Sequence, residues 1–161
     1  MPLTPHDLGR LYRQHAPALR LFARQWPGCA EDAVQDAFVS LARQEPPPMQ
    51  IVPWLYQVVR NNAKAATRSA WRRRRREGAA SAPEAWFAAT HDRLDAANAA
   101  RVLAGLPLEN REVIVARLWG GLTFDEVARF VGCSLPTAHR RYYAGLNELR
   151  TRLNVPCDKT T

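Results

Sequence analysis

Several things that would steer the reading elsewhere are scarce in this sequence. Three cysteines, Cys29, Cys133 and Cys157, stand far apart, with no C-x-x-C pair and no histidine at ligand spacing. That argues against a disulfide framework and a zinc site, and reduced thiols are expected. No apolar run approaches the roughly 20 residues of a membrane span. The opening MPLTPHDL lacks the charged and apolar regions of a signal peptide. A cytoplasmic location with no membrane partner is the expectation. Carboxylates number 15. Glu31, Asp32 and Asp36 lie near one helix start, and no matching cluster elsewhere could hold metal ions for phosphodiester chemistry. No catalytic residue, metal site or cofactor is therefore expected, and a nucleic-acid enzyme is the weakest reading.

What is present is arginine. Formal charge is +8 with an isoelectric point near 10.2, and nearly all of the 23 basic residues are arginine, the side chain suited to bidentate contacts with phosphate and guanine. A polyanionic partner follows. Residues 1–80 carry 13 basic against 6 acidic residues, and 81–161 carry 10 against 9. The excess lies in the first half. At 47% apolar, the chain can build compact cores, as one domain or two small ones.

The most structured signal runs from Gly121 to Arg150. Phe124, Val127, Ala128 and Val131 make one apolar face of a short helix, opened by a Thr123-x-x-Glu126 capping box. Gly132 suits the helix end, and Ser134 suits the start of the next helix, leaving a three-residue turn. In that second helix Ala138, Tyr142, Leu146 and Leu149 form the expected buried stripe. Pro136, Thr137, His139, Arg140 and Tyr143 lie on the other side of its first two turns. This is the layout of a helix-turn-helix whose second helix offers hydroxyls and amides to phosphates and longer donors to base edges. The bland alternative is a helical hairpin with a solvated arginine face.

Going back along the chain, Thr4-Pro5 opens a helix with Leu8, Leu11, His15, Leu19, Phe22 and Trp26 at helical spacing. Pro17 either kinks it or divides it in two. His15 is read as a core or boundary histidine. Ala30 to Ala42 forms a second helix with Ala33, Val34, Ala37, Phe38 and Leu41 inward. Glu31 and Asp32 near its start favour the helix dipole. Its remaining face, with Gln35, Asp36 and Val39, is a candidate dock for a basic protein surface. Glu45 to Pro53 is expected to be a rigid non-helical loop. Trp54 to Arg76 reads as one long helix, apolar at Trp54, Leu55, Val58, Val59 and Ala63 and polar at Asn61, Asn62, Lys64, Arg68 and Arg72 to Arg76. Five successive arginines surround a helix on all sides, which suits phosphate attraction rather than base reading, or else a solvated tail. Gly78 to Thr90, poor in large apolar residues apart from Trp86 and Phe87, fits a linker. An Ala-rich helix to about Leu103, a break at Leu106-Pro107 and a helix from Glu109 to Trp119 carrying Val113, Ile114 and Leu118 follow, and PCDKTT looks frayed.

Taken together these residues resemble an extracytoplasmic-function sigma factor of the sigma-70 family, the kind that keeps only regions 2 and 4. AEDAVQDAFVSL resembles the acidic region 2 helix. PWLYQVVRNNAKAATRSAWRRRRR resembles the segment that recognises and melts the minus-ten element. LPLENREVIVARLWGGLTFDEVARFVGCSLPTAHRRYYAGLNELR resembles region 4. The resemblance implies an all-α fold of two small helical domains, 1–77 and 93–155, joined by a linker at 78–92, the second a winged-helix-like helix-turn-helix domain. It implies a non-enzymatic initiation factor. The implied partners are RNA polymerase core, through its clamp coiled coil and flap, promoter DNA, and in some members an anti-sigma factor. Carried over by position, the minus-thirty-five contacts are Pro136, Thr137, His139, Arg140, Arg141 and Tyr143. The minus-ten contacts are Asn61, Asn62, Lys64, Arg68, Arg72 and Arg73, and the polymerase contacts are Asp32, Gln35 and Asp36. Ala144 stands where many relatives are basic, and the loop Pro46 to Pro53 is richer in proline than is usual there. A stand-alone dimeric helix-turn-helix regulator is the alternative, but it leaves the acidic face and the second basic helix without a use.

Overall fold

A computed structural model describes residues 2–78 and 94–154. The expected linker beyond Gly78, with Trp86 and Phe87, and the tail with Cys157 lie outside the described residues. The described residues form seven helices and no strand: α1 (Pro5–Ala23), α2 (Ala30–Arg43), α3 (Ile51–Glu77), α4 (Leu94–Ala104), α5 (Leu108–Leu118), α6 (Phe124–Val131) and α7 (Leu135–Leu153).

The first three helices pack on one another. In α1, Thr4 caps the start through a reciprocal box with Asp7, and Thr4 holds the Asp7 carboxyl below its usual range. Pro17 sits inside this single helix rather than dividing it. It is exposed, so the carbonyl it leaves unpaired faces solvent. α2 buries the five residues its spacing predicts, Ala33, Val34, Ala37, Phe38 and Leu41. Glu31 does more than favour the dipole: Tyr12 and Arg20 of α1 donate to its carboxylate, Arg20 keeping that carboxyl below its usual range. The start of α3 departs from expectation. Ile51, Val52 and Pro53 are already helical, so the non-helical loop ends at Gln50. A proline in the first turn costs no hydrogen bond, because the amides there have no partner within the helix.

α3 buries only its first half. Leu55, Tyr56, Val59 and Ala63 are its buried residues, Tyr56 in place of the partly buried Trp54 and Val58. From Arg68 to Glu77 it is exposed apart from partial cover at Ala70. At a rise of about 1.5 Å per residue, that leaves a free rod roughly 15 Å long.

In the other group α6 and α7 pack on α5, and α4 packs on α7. Glu112, Val113, Ile114, Val115 and Ala116 are all buried, five in succession, as befits a helix covered on every side. Leu118 is 53% exposed, beside the exposed Trp119. α7 crosses α5 at Gly145, where a Cβ would lie 2.5 Å from Ile114 Cδ1. The inward stripe of α7 is thus Ala138 and Gly145, fully buried, with Tyr142, Leu146 and Leu149 partly buried.

The two groups share a core. Phe130 of α6 is 6% exposed and meets Phe22 edge-on, ring centroids 5.8 Å apart, and Tyr56 at 6.0 Å. Beside it, Arg60 of α3 grips Glu112 of α5 through two hydrogen bonds, at 3.0 and 3.4 Å.

Candidate nucleic-acid interface

The helix-turn-helix is built as its sequence predicts. The Thr123 amide donates to Glu126 at 2.7 Å and the Glu126 amide donates back to Thr123 at 3.2 Å. Gly132 takes φ +79° to end α6, a conformation that costs other residues, and Ser134 accepts from the Thr137 amide at 3.3 Å to open α7.

The outward side of α7 rests on one ring. Phe124 stacks on His139 with centroids 3.9 Å apart and takes Tyr142 edge-on at 5.2 Å. The Arg117 guanidinium lies over Phe124 at 4.4 Å and also donates to the Leu122 carbonyl. Such contacts contribute about 0.5–1.5 kcal/mol each beyond area burial. Their larger effect is to fix the helix that carries the donors.

The expected upstream contacts are placed unequally. Pro136 and Arg140 are exposed, and Arg140 makes no ion pair or hydrogen bond among the described residues. Tyr143 is 59% exposed with Tyr142 edge-on at its ring. Thr137 accepts from the Ser134 hydroxyl at 2.8 Å and so is partly engaged in the cap. His139 lies flat on Phe124. Arg141 points another way: its guanidinium pairs with Glu109 of α5 at 3.2 Å and is 24% exposed.

On α3, Asn61, Arg68, Arg72 and Arg73 are exposed. Asn62 donates to the Ala33 carbonyl at 3.3 Å and ties α3 to α2. Lys64 is partly buried in a crevice of about 230 Å³ that it shares with Arg60, Glu109, Glu112 and Arg141. Among the arginines stands an aromatic that the charge-run reading passed over: Trp71 is 59% exposed, with the Arg75 guanidinium over its ring at 5.2 Å. On α2, Asp32, Gln35, Asp36 and Val39 form one exposed stripe. Cys29 and Cys133 are free thiols. No helix among the described residues is long and apolar enough to cross a membrane.

A basic chain, all-helical in its described residues, whose helix-turn-helix presents exposed donors beside a second arginine-rich helix has the surfaces of a nucleic-acid-binding protein. Residues 11–76 match the sequence model described as "Sigma-70 region 2", and residues 97–149 match "Sigma-70, region 4". The chain belongs to the sigma-70 family, in the two-region layout of extracytoplasmic-function members. It is a sigma factor, acting with RNA polymerase core to direct transcription initiation at promoter DNA. Solved structures share the fold. The sigma factor RpoE, bound to the anti-sigma factor NepR, from Bartonella quintana aligns at TM-score 0.75 with 23% identity, over 92% of this chain and 98% of that one. CnrH, in complex with the cytosolic domain of CnrY, aligns at 0.61 with 23% identity, over 94% and 90%. A comparison with curated proteins returns no match.

Proposed function

We propose a division of labour among three surfaces. α7 reads the minus-thirty-five element, with Arg140 as the principal base reader, Pro136, Thr137 and Tyr143 fixing its approach, and His139 adding a hydrogen bond. Arg141 contributes once it leaves Glu109. α3 serves the minus-ten region: Asn61, Asn62 and Lys64 sit near its middle, and Arg68, Arg72 and Arg73 attract phosphates. Asp32, Gln35 and Asp36 dock on the polymerase clamp coiled coil. The chain divides as 1–77, 78–92 and 93–155, works in the cytoplasm and catalyses nothing itself. A protein partner of the anti-sigma kind suits it, since RpoE, a sigma factor of related fold, is held by the anti-sigma factor NepR.

The observation that carries this reading is the contrast on α7 between a scaffold pinned by Phe124 and an arginine left free at its second turn. Run-off transcription with purified core polymerase on genomic promoter fragments tests it. The chain should confer promoter-specific initiation that core lacks. Asp36→Arg should weaken binding to core in a pull-down with unchanged circular dichroism, and unchanged binding would leave that face merely solvated.

A further inference from the structure

We infer that Trp71, with the arginines around it, is a stacking site for an unpaired base of single-stranded DNA, carried on the far end of α3 and separate from the contacts proposed at its middle. The inference rests on the proposed reading of α3 as a DNA-facing helix.

An indole in this place needs a reason. Trp26 is buried and Trp54 partly buried within their packed group, whereas Trp71 is 59% exposed on a stretch of α3 that has almost no cover from Arg68 onward. It adds nothing to a core. A large aromatic surface left in water gains free energy only when a partner covers it.

The surroundings of Trp71 say what that partner is. Arg68, Arg74 and Arg75 stand at i−3, i+3 and i+4, its neighbours on the helix surface, and none of them makes an ion pair or hydrogen bond among the described residues. The only acid between Arg68 and Gly78 is Glu77. The cover is therefore a polyanion. Arg75 lies over the ring at 5.2 Å, and no other ring or cation of the described residues lies against it, so the indole keeps open surface for a flat partner. A ring that can take the face of a base, among arginines that can follow a backbone, is the composition of a single-strand site. In a duplex the base faces are already covered by their neighbours. The partner of the ring is thus an unpaired base, and because every base has such a face, the site holds strand without choosing sequence. Trp71 is nine residues beyond Asn62, roughly 13 Å along the axis at about 1.5 Å per residue. It extends the proposed contacts of α3 rather than duplicating them.

Oligonucleotide binding by the full chain, read by fluorescence anisotropy at graded salt, tests the site. The probe is a thymidine oligomer of about 20 nucleotides, longer than one site of this kind needs, set against an abasic oligomer of the same backbone and against duplex. Wild type should prefer the thymidine strand to both. Trp71→Ala should keep wild-type helicity by circular dichroism, bind the thymidine strand about tenfold more weakly, and no longer distinguish it from the abasic strand. Its salt slope should be unchanged, because no charge is lost. Trp71→Phe, which can still stack, should retain most of the preference, and Trp119→Ala, at the other exposed tryptophan of the described residues, should retain it all. Replacing Arg74 with alanine should flatten the slope by about 0.7 and keep the preference for bases. Equal binding of thymidine and abasic strands by wild type, or a preference that survives Trp71→Ala, would overturn the site. So would a Trp71→Ala variant that loses only its affinity for polymerase core, since the ring would then be a protein contact. Failure of wild type to give promoter-specific run-off with core would instead strike the functional reading, and the oligomer arm would still decide whether Trp71 stacks on bases.

Discussion

α3 and α7 both send arginines outward, yet they are held in opposite ways. The last third of α3 lies open to solvent, and Arg72 to Arg76 point in every direction around it. α7 is seated on α5 at Gly145 and braced by Phe124 at its first turns, so that Arg140 leaves from a fixed platform. Attraction to phosphate needs only charge and exposure, because the backbone presents the same charge at every step. Reading a base needs a donor pair held in a defined orientation at a groove edge. On the proposed reading the two helices divide these two tasks, and substitutions should separate them.

The largest effect is expected at the α5–α7 crossing. Gly145→Leu drives a side chain into the fully buried Ile114, and overpacking of this kind costs about 1–3 kcal/mol. Thermal denaturation should show the loss, and upstream-element recognition should fall with it. The salt dependence contributed by α3 should survive. A variant as stable as wild type would mean that α7 is seated more loosely than described.

Next comes the platform. Phe124→Ala removes the ring under His139, Tyr142 and Arg117 at once. The ring is only partly buried, so a loss of about 1–2 kcal/mol is expected from its aromatic contacts. Discrimination among upstream sequences should decline more than total DNA affinity. Equal declines in both would show that the ring supports the fold without orienting the reader.

α3 should behave the other way round. Replacing Arg72, Arg73 and Arg74 with alanine should leave stability within about 0.5 kcal/mol. It should flatten the log–log salt slope of binding by about 0.7–0.9 for each phosphate no longer neutralised. An unchanged slope would leave the run without a role on DNA.

The smallest effect concerns α1, far from either task. His15 is partly buried, and desolvation lowers its pKa below 6.5. The folded state then binds that proton less readily than the unfolded state, so stability rises with pH across this window. It is lost as pH falls below 6.5 toward the folded value. His15→Asn should abolish that part of the pH dependence in denaturant titrations at about pH 5 and 8, and an unaltered profile would assign the dependence elsewhere.

Much of this architecture is legible in the residues themselves, because caps and stripes are local. Thr123 and Glu126, Gly132 and Ser134, and the five inward residues of α2 all announce their roles over a turn or two of helix. What the sequence hides is contact between groups far apart in it. Tyr56 and Phe130, and Arg60 and Glu112, meet only in the folded chain. Phe130 is at the margin of its helix's stripe, Arg60 and Glu112 are polar where the stripe is apolar, and Tyr56, in register with Val59 and Ala63, is open to a reading that follows that spacing. Phe130 left one trace: it widens the apolar face of α6 beyond Phe124, Val127, Ala128 and Val131. Gly145 gives no local sign, since a helix crossing is set by the partner's side chain. Pro53 misleads about the start of α3 because a first helical turn accepts proline as readily as a loop does. At the site, Arg140 is free as its position on the helix implies. Arg141 is diverted by Glu109, a residue of α5 that spacing along α7 cannot reveal.

The central claim, that α7 reads bases through Arg140 whereas α3 holds phosphates, is tested most directly by transcription with core polymerase across a promoter library randomised in the upstream element, for wild type and Arg140→Ala. A guanidinium bidentate to guanine contributes about 1–3 kcal/mol of discrimination. The variant should therefore lose activity mainly on the preferred sequences and relax preference at one or two upstream positions. Uniform weakening across the library, with the pattern of preference unaltered, would make Arg140 another phosphate contact and contradict the account.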